Sequence, residues 1–500
     1  MNKSTIASRC ILTMIVSLTA NFPAFALDLY VDNDTQQIYA SPGKNRVKLG
    51  SFEKKEDIAQ LKASLKAEIE AELKAKQHLQ SQQQKIVSPQ INTIEIKDSE
   101  TVVLNKVEQP AKKNKPASVS YGKNGFELRT DDDKFSLAIQ NRVQARFAEP
   151  FDSDPRSLSD LDRDENSMMI RRARTKLNGN AYVPWLKYYL QYDWSQPVLR
   201  DLSLTIDKYK WAQVRVGRGK VSYNNERVTS SGNQQFVNRS IVNDIFTVDR
   251  QQGIEVKGNL FPGKWYDMTY YGGVFTGTGI GERNNDDDAM MYSGRFQWNA
   301  LGGEMKFSQS DIEFHDKPTL NISVAANKNK SRCTAFETDS RSCRNLTDAD
   351  KTRYLSPSDS PDKGGPQAGQ YEITQMMEEI HFKWNGFSLL HELHAKNIKD
   401  TVKNRETDLL GGFVQAGYFP SKALNFFPEN VEIAGRYALV DMDTDRSYDK
   451  QTELSGVINY FMEGHFNKLS LQLSRLSVED PIKREKDAET RLWAQWDFSF

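Results

Sequence analysis

Apolar and polar residues alternate one for one through most of this chain. Phe135, Leu137, Ile139, Val143, Ala145 and Phe147 hold one parity, while Ser136, Gln140, Arg142, Gln144 and Arg146 hold the other. Met169, Ala173 and Leu177 oppose Arg172, Arg174, Lys176 and Asn178, and Leu202, Leu204 and Ile206 oppose Ser203, Thr205 and Asp207. The same period returns at 292–298, 320–326, 387–397, 410–418, 431–439, 454–462 and 469–473. At the end of the sequence Leu492, Ala494, Trp496, Phe498 and Phe500 alternate with Arg491, Trp493, Gln495, Asp497 and Ser499. A period of two places successive side chains on opposite faces, so these runs predict strands with one apolar and one polar face.

Counted along the chain, the runs predict roughly sixteen strands, an even number suited to an antiparallel transmembrane β-barrel. The connections alternate in kind. Inner turns are expected at 183–186, 209–211, 261–264, 385–386, 419–430 and 463–467. The outer connections, 149–166, 219–252, 328–369 and 479–489, are longer and charged. Short on one side and long on the other is the pattern of outer-membrane barrels. The inner connection 300–318 is longer than that pattern predicts. Trp185, Tyr188, Tyr192, Trp194, Trp211, Trp265, Tyr266, Trp298, Trp384, Tyr418 and Trp496 fall near predicted strand ends, where interfacial girdles sit. The terminal row Trp496, Phe498, Phe500 reads as a closing strand and assembly signal.

Other segments have a different texture. Lys3 and Arg9 precede an apolar run at 11–16, and Ala24-Phe25-Ala26 supplies small residues for cleavage, which is the layout of a secretory signal peptide over 1–26. The apolar run is well short of the ~20 residues of a spanning helix. Residues 27–52 form a polar lead that turns at Ser41-Pro42-Gly43. In 53–84, Ile58, Leu61, Leu65, Ile69 and Leu73 recur every three or four residues, which predicts a helix with a narrow apolar stripe. Self-association as a coiled coil, forming a periplasmic stalk, is the expected use, and a solvated helix is the alternative. Residues 85–120, with Pro110, Pro116 and a lysine cluster, read as a linker, leaving 121–500 for the barrel.

Charge adds little globally. The chain has 67 basic and 67 acidic residues, and removing 1–26 leaves 65 against 67, so no polyanionic partner such as nucleic acid is indicated. Locally it matters, because Arg or Lys on a lipid face near the midplane costs ~2–4 kcal/mol. Arg142, Arg146, Arg172, Arg174, Lys176, Arg215, Arg295 and Arg436 are therefore expected to face the lumen. There they either attract small anions or pair with Asp193, Asp207, Glu255 and Glu453. Cys333 and Cys343 are expected to pair in an oxidising compartment. So short a loop would contribute ~3 kcal/mol.

The segment from Arg215 to Ser231, RVGRGKVSYNNERVTSS, followed by Asp249-Arg250-Gln251-Gln252-Gly253-Ile254, resembles the phosphate-selective porin O and P family. So do Met169-Ile-Arg-Arg-Ala-Arg174 and Tyr188-Tyr-Leu-Gln-Tyr-Asp193. The resemblance covers about 121–500 and implies a sixteen-stranded homotrimeric porin in the Gram-negative outer membrane, passing small anions such as phosphate or polyphosphate without a cofactor. It also implies that the third outer loop, here Gly219–Gln252, folds into the lumen as a constriction. That loop carries Lys220, Arg227, Arg239 and Arg250 against Glu226, Asp244 and Asp249, a balance of only +1. Denser arginines and lysines set selectivity in the family, so general small-solute passage is an alternative. A structural role, tethering the envelope through 53–84 to cell wall or a periplasmic partner, is compatible with both.

Other motifs carry less. His391-Glu392-Leu393-His394 lacks the zinc-protease spacing, and in a strand its two histidines point to opposite faces. Asp131–Asp133 and Asp286–Asp288 read as solvated acidic turns. The glycines at 272–281 lack a P-loop lysine, and no catalytic constellation is identifiable. Edman or mass-spectrometric sequencing of the exported protein is expected to find Leu27 at the N-terminus.

Overall fold

A computed structural model describes residues 28–32, 38–39, 46–51, 117–122, 125–152, 157–161, 164–280, 284–336, 343–346 and 365–500. The predicted signal peptide, the helix over 53–84 and the linker as far as 116 lie outside these residues. The chain divides into two units, Met1–Pro110 and Ala111–Phe500. In the first, β1 (Asp28–Asp32), β2 (Ile38–Tyr39) and β3 (Arg46–Ser51) form an antiparallel sheet in the order β2-β1-β3.

The second unit is the barrel. Its strands are β6 (Ser136–Glu149), β7 (Ser167–Ala181), β8 (Val183–Asp193), β9 (Val198–Tyr209), β10 (Ala212–Lys220), β11 (Arg250–Leu260), β12 (Met268–Phe275), β13 (Met291–Leu301) and β14 (Thr319–Ser331). They continue as β17 (Tyr371–Trp384), β18 (Phe387–Asp400), β19 (Arg405–Tyr418), β20 (Val431–Asp441), β21 (Lys450–Glu463), β22 (Asn467–Asp480) and β23 (Glu485–Ser499). Among the described residues these sixteen strands, each antiparallel to the next, close into one ring. Closure is made by β23 on β6, from Leu492 opposite Glu149 to Ser499 opposite Arg142. The backbones of Phe500 and Asn141 then exchange hydrogen bonds at 2.7 and 2.9 Å. Two minor hairpins accompany the ring: β15 (Ala335–Phe336) with β16 (Cys343–Arg344), and β4 (Ala117–Gly122) with β5 (Gly125–Thr130). The expected linker thus gives way to strand at Ala117.

The alternation reads directly onto the two faces. In β21, Gln451, Glu453, Ser455, Val457, Asn459 and Phe461 are buried inward, while Leu454, Ile458 and Tyr460 are exposed outward. Trp496, Phe498 and Phe500 form an outward row with ring centroids 6.0 and 5.6 Å apart. Trp493, which shares a parity with Arg491 and Gln495, is buried inside the ring. Two connections differ from the sequence reading. The inner turn expected at 183–186 lies at Tyr182, whose φ of 66° makes the reversal in one residue. The outer connection expected at 479–489 is a four-residue turn between Asp480 and Glu485. There β22 and β23 run on past the apolar band with charged side chains on both faces. Outside hydrocarbon a strand needs no apolar face, so composition hides it.

The strands tilt. A hydrogen-bonded row starts at Leu186, three residues from the start of β8, and passes through Ile206, Val214, Val256, Gly272, Gly294 and Ala326. It reaches Met376, eight residues before the end of β17. Rows therefore climb away from the inner turns with chain order. At the low end, the turn from β5 to β6 is held by Asp132, whose carboxylate accepts from the Thr130 hydroxyl and the Lys134 amide. That hydroxyl, then Lys134, holds the Asp132 carboxyl down to about 2.

The seam carries a buried ion pair. Arg142 Nε and Nη2 donate to the two Asp497 oxygens at 2.7 and 2.8 Å, joining β6 to β23. Replacing Asp497 with Ala leaves a buried guanidinium without its carboxylate and is expected to destabilise the ring by about 3–5 kcal/mol. Thermal loss of β-sheet circular dichroism in detergent, against the parent protein, is the measurement.

Candidate functional site

The connection from β10 to β11 folds inside the ring. It contains two short helices, α1 (Asn225–Val228) and α2 (Ile241–Phe246), and its residues are buried or half-buried. Its polar groups are met by inward side chains of the surrounding strands. The Asn225 backbone N–H donates to Glu379 of β17, and that of Glu226 to Glu392 of β18. Gln235 Nε2 donates to Glu432 of β20, and the Ile241 N–H donates to Glu453 of β21. The Val237 N–H donates to Gln472 of β22, and Arg146 of β6 donates to the Val237 carbonyl. A loop interior to a barrel must satisfy its backbone this way, because buried amides without partners cost too much.

Apolar contacts fix the loop against one side. Ile241, Val242, Ile245 and Phe246 of α2 join Leu390, Ile398, Leu409, Phe413, Ala438, Val440, Leu476 and Trp493 in one buried cluster. Each such α2 side chain contributes roughly 1.5–3 kcal/mol. Two glycines of β19 make room: a Cβ at Gly411 would collide with Phe246, and one at Gly417 with the Gln235 amide. Burial pushes the Glu226 carboxyl above its ordinary value, with Glu392 adding to the push and Arg436 and Ser240 opposing it.

A second segment enters from the inner side. The long connection between β13 and β14, 302–318, also turns into the lumen. The Gln309 N–H donates to the Asn233 carbonyl at 3.3 Å, and its Oε1 accepts from the Gln235 N–H at 2.8 Å. Ser310 donates to Glu432, Lys383 donates to Ser308 Oγ and the Ser310 carbonyl, and the Gly386 N–H donates to Asp311. The constriction loop is thus clasped from the inner mouth, and the β17–β22 side of the lumen is filled. The only sequence signal of this clasp is the excess length of 300–318.

Open space lies along β6–β11, apart from a cavity of about 510 Å³ at the inner mouth between the 302–318 segment, Lys383 and the β21–β22 turn. A vestibule of about 620 Å³ at the inner end, lined by Gln140, Lys176, Tyr189 and Asp207, shares Lys176 and Tyr189 with a constriction of about 240 Å³. Arg174, Lys176, Arg215, Lys220 and Arg250 surround the constriction, with Ser222, Ser230 and Ser231 beside them. Arg174 pairs with Asp193 at 2.7 Å, Arg250 with Asp201 at 3.0 Å and Arg215 with Glu255 at 3.0 Å. Lys176 donates to the neutral Gln140 oxygen, and Lys220 to the Val228 and Thr229 carbonyls. Among the described residues neither lysine has a carboxylate within salt-bridge distance.

The remaining expected positions sort by whether the loop covers them. Arg172 donates to Gln144, and Arg146 reaches Gln495, Asp152 and Asn238. Arg295 with Glu379, and Arg436 with Glu453, point inward but lie fully buried, Arg436 stacked on Phe236 with its guanidinium 4.2 Å from the ring centre. Within the loop, Arg227 pairs with Asp249, and Arg239 donates to the Glu226 and Thr229 carbonyls, so both brace the loop from within. His391 and His394 face opposite sides, the first toward Glu378 outside and the second toward Glu392 inside. Asp286 accepts from Ser331 and the Arg332 N–H, bracing an outer loop. Among the described residues no group of three potential ligands could hold a metal ion.

A closed sixteen-stranded ring, apolar and aromatic outside and polar within, with a loop folded into its lumen, is the architecture of a porin channel. Residues 143–492 match the phosphate-selective porin O and P family, and the chain belongs to that family. Fold and family place it in the Gram-negative outer membrane as a channel rather than an enzyme. No curated protein sequence matches it. Among solved structures it is similar to the anion-selective porin from Comamonas acidovorans, 12% identical over 73% of this chain and 100% of that one, with a TM-score of 0.46. It is also similar to the outer membrane channel DcaP of Acinetobacter baumannii (10% identical, 74% and 99% covered, TM-score 0.47). The trimer form of OmpT from Vibrio cholerae is similar as well (8% identical, 74% and 100% covered, TM-score 0.47).

Gln309→Ala removes the acceptor of a buried Gln235 N–H, which costs about 1–3 kcal/mol. The expected outcome is a noisier single-channel current with raised mean conductance, recorded in planar bilayers.

Proposed function

We propose that the channel passes small anions, phosphate and phosphorylated solutes among them, by diffusion past the Lys176–Lys220 constriction. The observation that carries this reading is the charge balance there. Three arginines pair with Asp193, Asp201 and Glu255, Asp193 being shared with Arg200. Among the described residues the two lysines, beside serine hydroxyls, have no carboxylate within salt-bridge distance. In a narrow passage with low-dielectric walls such a surplus focuses the field, raising anion entry and repelling cations. Lysine ammonium groups act on phosphate as point charges, and hydroxyls can donate to its oxygens.

Passage of small solutes in general is the second reading, favoured by the internal pairing of most lumen charges. The family resemblance also implies a homotrimer, which is part of this proposal. So is a Cys333–Cys343 bridge, supported by the burial of Cys333 and by the β15–β16 pairing, which sets Phe336 opposite Cys343. The outward row Trp496, Phe498, Phe500 is assigned to assembly on its position at the closing strand.

Reversal potentials across a potassium chloride gradient test the anion reading. A lysine charge ~6 Å from a passing ion acts with roughly 0.7 kcal/mol at the dielectric near 80 of a water-filled passage, with opposite sign on an anion and a cation, so its loss shifts their difference by about 1.4 kcal/mol. Lys176→Gln, which spares the loop contacts of Lys220, is therefore expected to cut the anion-to-cation permeability ratio about tenfold. An unchanged ratio would sink the reading. Block of chloride current by inorganic phosphate, lost in the same variant, separates phosphate passage from general passage.

A further inference from the structure

The β4–β5 hairpin lies outside the sixteen-stranded ring. β23 leaves β6 at Asn141, and β5 takes over the same edge, with Phe126 opposite Ile139 and Leu128 opposite Leu137. β4 then pairs Tyr121 with Phe126 and Val119 with Leu128. Val119, Tyr121, Phe126 and Leu128 are all exposed, at 68%, 61%, 54% and 41%. The opposite face is polar, and Glu127 and Arg129 line the inner vestibule.

The apolar face continues the lipid-facing surface of the barrel. Tyr121, Phe126, Ile139, Leu177, Leu190 and Leu202 form one hydrogen-bonded row across six strands. Rows descend toward the inner side as the chain is followed backward. With strands ~4.8 Å apart and tilted about 40°, the drop is ~3 Å per strand, which puts Tyr121 ~12 Å below Leu190. Trp185 lies five residues below Leu190 on β8, also roughly 13 Å at that tilt. The hairpin's outward side chains thus reach the level of the inner aromatic girdle, beside the Trp496–Phe500 row. Tyr121 and Phe126 are themselves in ring contact, with centroids 4.9 Å apart.

We propose that the β4–β5 hairpin is a membrane-interface anchor, whose outward face Val119, Tyr121, Phe126 and Leu128 sits in the headgroup–acyl boundary of the periplasmic leaflet. Its occupant is phospholipid. Aromatic and aliphatic side chains at this level gain from burial while the backbone and polar face stay wet. The anchor extends the lipid-facing surface past the barrel seam and holds the first residues of the unit at the membrane. It depends on the barrel alone, not on which solute passes.

The test uses the full exported chain with Cys333 and Cys343 replaced by Ser. Val119→Cys, Leu128→Cys and, as a control on the opposite face, Ser118→Cys each carry an NBD label. The proteins are reconstituted in phosphatidylethanolamine–phosphatidylglycerol vesicles, with conductance confirming a folded channel. Shallow doxyl-labelled lipid is expected to quench the label at 119 and 128 about twofold or more and to spare that at 118. Quenching at 119 and 128 by aqueous iodide instead would place the face in water and overturn the proposal. Shielding from both quenchers would show that protein, such as a second copy of the chain, covers the face, and would overturn it equally.

Discussion

Hydrocarbon offers no partner to a backbone amide, and every other feature of this barrel follows from that constraint. Strands can cross only if each N–H and C=O is met by a neighbouring strand, so the sheet must close, and β23 on β6 closes it. Closure gives each strand one lipid side and one lumen side, and the two-residue period then assigns every residue to one or the other. Most charged side chains enter the lumen; Glu378, outward on β17 with His391 beside it, is an exception. The interior is accordingly crowded with arginine, lysine, glutamate and amide groups, and their mutual pairing becomes the second problem the chain solves.

The solution divides the lumen. On the β17–β22 side, the β10–β11 loop and the 302–318 segment meet and fill the space. Glu379, Glu392 and Glu453 accept from loop backbone amides, Glu432 accepts from the Gln235 side chain and the Ser310 hydroxyl, and α2 is seated in an apolar cluster. Arg295 and Arg436 serve this filled half, as partners of Glu379 and Glu453. On the β6–β11 side the passage stays open, and there Lys176 and Lys220 lack carboxylate partners among the described residues. On the proposed reading, selectivity is a matter of which charges are left over, not of how many line the wall. The loop's near-neutral composition is therefore a poor guide to the field at the constriction.

Much of this was legible from residue order. Strand identity and the lipid and lumen faces of β6, β21 and β23 follow from alternation, since burying a charge in lipid costs more than any local preference. The in-folded loop was legible only through the family resemblance of Arg215–Ser231. Less visible were the ends of β22 and β23, which run beyond the membrane where no apolar face is needed. Trp493, placed by parity among polar residues, is buried in the apolar cluster that also holds α2. Gly411 and Gly417 were a faint signal, small residues on the inward parity of β19 that admit Phe246 and Gln235.

Residue order by itself determined that this chain closes into a membrane barrel with cations inside, because a period of two and the cost of charge in lipid act residue by residue. Which of those cations meet the solute was decided only by the tertiary structure. Pairing depends on side chains brought together from distant strands: Arg142 with Asp497, Arg250 with Asp201, Arg295 with Glu379. The same is true of the clasp between Gln309 and the constriction loop. Ion pairing over a few ångströms is set by register and loop path, and neither is written in any local stretch of sequence.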